Sequence, residues 1–425
     1  MRISQARACI ACVLSLAVGP FATAATSQGE LTLAQAIALT FEHNPDLRAS
    51  SFELSAAQAR VAQASVRPNP ELALELENFS GSGFARGADA LESTLNLSQV
   101  IELGGKRDLR VSSAQADRDL VSTEQRAREL DVLAEVTRRF IDVVSAQERT
   151  RLAAESTRLT QRTLDAITAR VAAAHSPEAE RSRARIALTR SHIEQQQMQS
   201  QLRSARHALS SLWADTAPRF TSARADLFAL QPVQPFESMT AQLERSPDFL
   251  RFASEARLRD AQTRLARAQA RPNLAFSLGV RRFEENNDAA LVAGFSMPLP
   301  VFDRHRGAIR EAEIRRNQGD AQREAAFVRA RSTLYSLYEE LLSVRARVET
   351  LRNEALPQAQ IALDQTRYGY RRGRFSFLEL ITAQQELLGL RGAAIDAAAD
   401  YHLLLAELER LTNEPLAAHA AGNEP

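Results

Sequence analysis

From residue 106 to residue 176 the chain contains neither glycine nor proline. A helix filling residues 106–174 is ~100 Å long at 1.5 Å per residue, beyond the diameter of an ordinary compact domain. The chain is therefore expected to be elongated. A second such helix is expected over about residues 308–372, interrupted by Pro357, where a kink or local unwinding is predicted. Shorter helices are expected over about 45–66, 177–213, 247–270 and 376–411. In each half one long helix matches two short ones laid end to end. Leu130, Leu133, Thr137, Phe140 and Val144 step by three and four along one face, the spacing of lateral helix packing.

The chain repeats itself at an offset of about 200 residues. Asn44-Pro45-Asp46-Leu47 returns as Ser246-Pro247-Asp248-Phe249, and Arg67-Pro68-Asn69 returns as Arg271-Pro272-Asn273. Each copy continues with two short alternating stretches around a polar loop, then a turn, then the long helix. Chance likeness of two helical segments does not reproduce that order twice, so the chain is read as a tandem duplication. The first repeat is placed at 25–230, with strands about 71–79 and 91–99 and a hairpin tip at 174–177. The second is placed at 231–413, with strands about 273–283 and 289–297 and a tip at 372–376. Residues 414–425 form a C-terminal tail.

The alternating stretches carry leucine and phenylalanine on every second residue, as in Leu72, Leu74 and Leu76 or Leu274, Phe276, Leu278 and Val280. Period two with one apolar face is a strand signal. Each run has about the length that crosses a bilayer as a tilted strand. Leu274, Phe276, Leu278, Phe295 and Met297 are expected to face lipid, with Ser277 and Ser296 opposite. A soluble four-stranded sheet is the alternative. Four strands close no membrane barrel, and an open edge in lipid is forbidden, so a spanning sheet has to be shared between copies.

Composition narrows the function. Lys+Arg 53 against Asp+Glu 52 leaves a formal charge of +1, without the basic surplus that nucleic-acid binding requires. The first 24 residues read as a signal peptide, with Arg2 and Arg7, an apolar run and Ala22-Thr23-Ala24 for cleavage. Cys9 and Cys12 are the only cysteines and lie inside it. No later stretch is long and apolar enough for a transmembrane helix. Seven scattered histidines with no i,i+3 or i,i+4 pair give no metal site, and no catalytic or phosphate-binding motif occurs. The chain is accordingly read as a non-enzyme without cofactor.

Over about residues 30–413 the sequence resembles the TolC-like outer-membrane efflux family. The likeness rests on the duplicated plan, on Asn44-Pro45-Asp46-Leu47 and Arg67-Pro68-Asn69-Pro70, and on the segment from Tyr370 to Leu380. Gln99-Val100-Ile101-Glu102-Leu103-Gly104-Gly105-Lys106-Arg107 looks most like the branch serving cobalt-zinc-cadmium resistance pumps. The resemblance implies a mainly α fold with a membrane β-barrel: a homotrimer with a twelve-stranded barrel in the outer-membrane lipid and an α-helical tunnel in the periplasm. It implies a passive exit duct for an inner-membrane RND transporter, reached through a periplasmic adaptor, with heavy-metal cations as cargo. It also implies docking at the hairpin tips, Ala174, His175, Ser176 and Pro177 in one repeat and Gly373, Phe375 and Ser376 in the other. A periplasmic gate is implied at Tyr370, Arg371, Arg374 and Glu379, with Thr382 where a second carboxylate is usual. Glu180 is taken as an exposed control. A periplasmic coiled-coil scaffold or adaptor is the alternative function.

Overall fold

The computed structural model describes residues 29–413. The expected signal peptide and the C-terminal tail lie outside the described residues. The chain opens with β1 (Glu30–Leu31), α1 (Leu33–His43) and α2 (Pro45–Ala64). Asn44 separates the two helices. Its side chain accepts from the amides of Asp46 and Leu47, and Pro45 starts α2 with its φ already set. Then come β2 (Glu71–Glu77), β3 (Glu92–Ile101), α3 (Lys106–Ala172) and α4 (Glu178–Ser210). After β4 (Ser222–Ala223) and α5 (Phe236–Leu243), the second repeat supplies α6 (Pro247–Gln269), β5 (Leu274–Phe283) and β6 (Asp288–Ser296). It ends with α7 (Arg306–Thr350), a π-helical turn at Leu351–Ala355, α8 (Leu356–Arg371) and α9 (Phe377–Thr412).

The π turn lies where Pro357 predicts unwinding. Proline has no N–H, so the Asn353 carbonyl loses its usual donor, and the backbone widens by one residue ahead of the ring. The lateral packing of long against short helices follows the same plan in both repeats. α3 packs against α2 and α4 in its own repeat, and α7 with α8 packs against α6 and α9 in the other.

The strands form one antiparallel sheet in the order β2-β3-β5-β6, so the two repeats meet at β3 and β5. Leu97 lies opposite both Leu72 and Leu278, and Leu278 opposite Ala293. Strand ends differ from expectation by up to two residues. Asn78, with φ 61, stops β2 early, and Met297 falls one residue past β6.

Between the sheet and the hairpin tips sits a core the helical periodicity does not announce. β1 and β4 pair in parallel, Glu30 with Ser222, and α1 folds beside them. Gln147 ties this layer to α3, bonding both the amide and the carbonyl of Ala223 at 2.7 and 2.9 Å. Here α3 is covered on several sides. Its buried set, Ala134, Val136, Phe140, Ile141, Val143 and Val144, is broader than the single stripe expected. A neighbouring cluster around Met239, Leu334, Leu341, Tyr401 and Leu408 joins α5, α7 and α9.

Candidate functional site: the paired hairpin tips and the sheet

Both tips use one backbone device. In the first, Ala174 sits in the left-handed region at φ 59, and the amide of His175 reaches back to the carbonyl of Arg170 at 2.8 Å. In the second, Gly373 sits at φ 71, and Arg374 reaches back to Gly369 at 2.9 Å. These are Schellman turns, which satisfy the last carbonyls of a helix and need one left-handed residue. The returning helices start on Pro177 and on Ser376.

The tips are clasped to each other. Tyr370 is buried and its ring packs beside Phe377, centroids 6.4 Å apart. The Arg170 guanidinium lies 4.9 Å from the ring centroid, a cation–π contact. Arg170 also donates to Ser176 Oγ at 3.1 Å and to the His175 carbonyl at 3.3 Å. The Tyr370 hydroxyl donates to Glu180 Oε2 at 3.3 Å. Burial pushes the Tyr370 phenol above its ordinary pKa, so it stays a donor. Further from the tip, α3 and α9 are laced by Gln384 to Thr163 (3.1 Å, buried), Arg391 to Glu155 (2.6 Å) and Arg149 to Asp396 (2.7 Å).

This geometry corrects one expectation. Glu180 is half-buried and belongs to the clasp, so it is no neutral control. Sequence reasoning also missed Arg170 as a partner, because the contact joins residues about 200 positions apart. Glu379 is exposed but not idle. Its carboxylate accepts from the Ser376 amide at 2.6 Å and the Ser376 hydroxyl at 2.8 Å, while Ser376 Oγ accepts from the Glu379 amide. This capping box holds the Glu379 carboxyl below its usual range, chiefly through the backbone bond. Within one chain no ion pair joins Glu379 to Arg371 or Arg374 among the described residues; both arginines are exposed. Phe375 folds over Gly369, where an added Cβ would meet the ring at 2.2 Å. A groove of about 680 Å³ runs back from the tips between α3, α4 and α9, flanked by Arg183, Ile186, Phe377 and Leu378.

At the other end the sheet has two unlike faces. Leu72, Leu74, Leu76, Leu95, Leu97, Phe276, Leu278, Val280, Leu291 and Phe295 share one face by register, and all are exposed. Leu278 is 63% and Phe295 73% accessible. Leu274 is half-buried on the same face, and Met297 is exposed just beyond it. The other face carries Ser277, Ser296, Thr94 and Asn96, with Arg281 bridging Glu77 at 3.1 Å and Glu92 at 2.8 Å. Among the described residues no helix is long and apolar enough to cross a membrane, and no cluster of His, Cys, Asp and Glu could hold a metal ion.

Comparison with known proteins fits this plan. The family model described as "Outer membrane efflux protein" matches residues 36–215 and 240–414, one match in each repeat. The cobalt-zinc-cadmium resistance protein CzcC of Cupriavidus metallidurans is 32% identical over 388 residues, covering 89% of this chain and 90% of that one. Among solved structures, the outer membrane protein VceC of Vibrio cholerae aligns with a TM-score of 0.75 at 19% identity, covering 90% and 96% of the two chains. CusC, described with transmembrane channel formation, aligns with a TM-score of 0.75 at 18% identity, covering 89% and 91%. These likenesses carry the fold.

Proposed function

The chain belongs to the outer membrane efflux protein family, and on that premise we propose that it is the trimeric exit duct of a tripartite system expelling heavy-metal cations. As an outer-membrane efflux channel it places its sheet in the membrane and its helices in the periplasm. The observation that carries the reading is the sheet: one face is apolar and largely exposed, and the edge strands, β2 and β6, each leave their outer edge without a partner within the chain. Water does not favour such a face, and lipid does not tolerate such edges. Three copies give twelve strands and remove every edge. The apolar face, with Leu274, Phe276, Leu278, Phe295 and Met297, then meets lipid, and the face of Ser277 and Ser296 meets the lumen.

Energy comes from elsewhere. Cargo arrives from an inner-membrane RND transporter through a periplasmic adaptor, which docks at the tips and in the groove beside Ile186 and Leu378. The clasp of Arg170, Glu180 and Tyr370 holds the two hairpins of a protomer together, as a closed entrance requires. Threefold repetition sets three copies of Glu379, Arg371 and Arg374 around that entrance, where each carboxylate, held ionised by its cap, is a local acceptor for cations among the arginines of neighbouring helices. Metal cargo is supported by the relative named for cobalt, zinc and cadmium resistance. It is supported too by Glu71, Glu75, Glu77, Glu92 and Asp288 on the lumenal side of the sheet, against Arg281 alone. A periplasmic scaffold leaves the exposed apolar sheet without a role. Deleting the gene and scoring survival on cobalt, zinc, cadmium and a drug panel tests the cargo. Unchanged metal tolerance beside drug sensitivity reassigns it.

A further inference from the structure

We infer that β6 of one copy pairs antiparallel with β2 of the next in a set register, Met297 opposite Leu74, and that Arg306 of the first bonds Asn69 of the second. The inference rests on the trimeric channel proposed above and specifies its seam.

The chain contains a template for that seam. Inside one copy the two repeats already meet where β3 pairs with β5, Leu97 opposite Leu278 and Ile101 opposite Leu274. The foot of this junction is fastened by Lys106, the only lysine in the sequence, whose Nζ donates to Asn273 Oδ1 at 2.5 Å. Lys106 follows Gly105, the left-handed residue that opens α3; Asn273 follows the Arg271-Pro272 that opens β5.

Each part has a counterpart in the other repeat. His305, also left-handed at φ 56, opens α7 and is followed by Arg306. Arg67-Pro68 leads to Asn69 ahead of β2. Arg306 and Asn69 are both exposed and have no side-chain partner among the described residues. They lie at the feet of the two unpaired edges, as halves of a fastening that only a second copy completes.

Carrying the register across fixes the pairing. The match of Gly105 with His305 carries Leu97 onto Met297 and Ile101 onto Val301. The match of Pro68 with Pro272 carries Leu278 onto Leu74 and Leu274 onto Pro70. Met297 then faces Leu74 of the next copy, and Leu299 faces Leu72. Met297, Leu299 and Val301, exposed in the single chain, join the apolar belt. The two hairpins differ in their own registers, Leu72 opposite Leu97 against Phe276 opposite Phe295. Superposing hairpins alone would put Met297 opposite Leu72; the fastening at the foot selects Leu74.

The helices repeat the asymmetry. α6 packs closely against both α3 and α7, whereas α2 packs closely against α3 and has no comparable contact with α7. Phe52 on α2 and Ile314 and Val328 on α7 are left exposed. Setting α2 of the next copy against α7 gives these apolar side chains the neighbours that α6 already has.

The test is cross-linking in the full chain, whose native cysteines both fall in the expected leader. Met297→Cys is combined in turn with Leu72→Cys, Leu74→Cys or Leu76→Cys, and membranes are treated with a short thiol cross-linker. The expected result is a covalent trimer formed fastest with the Leu74 substitution. Faster linkage through Leu72 or Leu76 overturns the register. Intact trimers that link through none of the three overturn the seam while leaving the channel reading standing. Monomers in the unsubstituted protein sink the channel reading itself. Arg306→Ala and Asn69→Ala leave the strands untouched and check the fastening: each should lower trimer heat resistance in detergent, and the double variant should lower it no further. Additive losses, or none, overturn the Arg306–Asn69 bond.

Discussion

The Tyr370 hydroxyl lies 3.3 Å from Glu180 Oε2, joining the end of α8 to the start of α4 across the two hairpin tips. A hydrogen bond to a charged acceptor contributes about 1.5–3 kcal/mol when well buried, and Glu180 keeps part of its hydration. Taking about 1.4 kcal/mol, loss of the bond shifts a closed-to-open equilibrium about tenfold. Tyr370→Phe is therefore expected to raise the open fraction of single channels about tenfold, and Glu180→Gln to raise it less. The double variant should fall short of the product of the two effects. Independent effects would mean that the two residues do not act as one clasp.

The sheet faces make a sharper distinction. Leu278 and Ser277 are chain neighbours on opposite faces of β5. Arginine at a mid-bilayer lipid-facing position costs about 2–4 kcal/mol, and much less towards a watery lumen. Leu278→Arg should sharply reduce folded trimer in the outer membrane, while Ser277→Arg should not. Equal yields would contradict the assignment of faces.

Much of this was legible in the sequence because the elements are long and locally encoded. The glycine-free run gives α3, Pro357 marks the π turn, and period-two leucines give the four strands and their common face. The middle layer was not legible. β1 and β4 have two residues each, and their parallel pairing joins Glu30 to Ser222, so neither leaves a periodic trace. The tip was half legible. Ser376 and Glu379 have the spacing of a capping box, although the family resemblance points only to docking for the first and to the gate for the second. The Arg170–Tyr370–Glu180 clasp depends on how two hairpins pack, which no local pattern encodes.

The tips carry a strain difference. Ala174 and Gly373 hold equivalent left-handed positions, at φ 59 and φ 71. Only the alanine has a Cβ to crowd the following carbonyl, a cost of about 1–2 kcal/mol. Ala174→Gly should increase hydrogen-exchange protection at the first tip by about tenfold, equivalent to about 1.4 kcal/mol. Gly373→Ala should lower it at the second. Unchanged protection in both would remove the left-handed turn as a stability determinant.

His402 supplies a pH signature in the middle layer. Its Nε2 lies 2.9 Å from the Leu227 carbonyl, and burial holds its pKa below the ordinary value, against the pull of that bond and of Asp226. The unfolded chain binds the proton more readily, so this contribution is fully present above about pH 6.5 and is lost as pH falls from there through the depressed folded value. Thermal stability should decline on acidification from about pH 6.5, and His402→Gln should flatten that decline. An unaltered pH profile in the variant would exclude His402 as its source.

The most direct test of the channel is electrical. Purified full-length trimer in a planar bilayer should give discrete, cation-selective conductance steps that are small in the native protein and larger in Tyr370→Phe. Inserted trimer that passes no current in either form, or passes anions in preference to cations, would contradict a gated duct for metal cations.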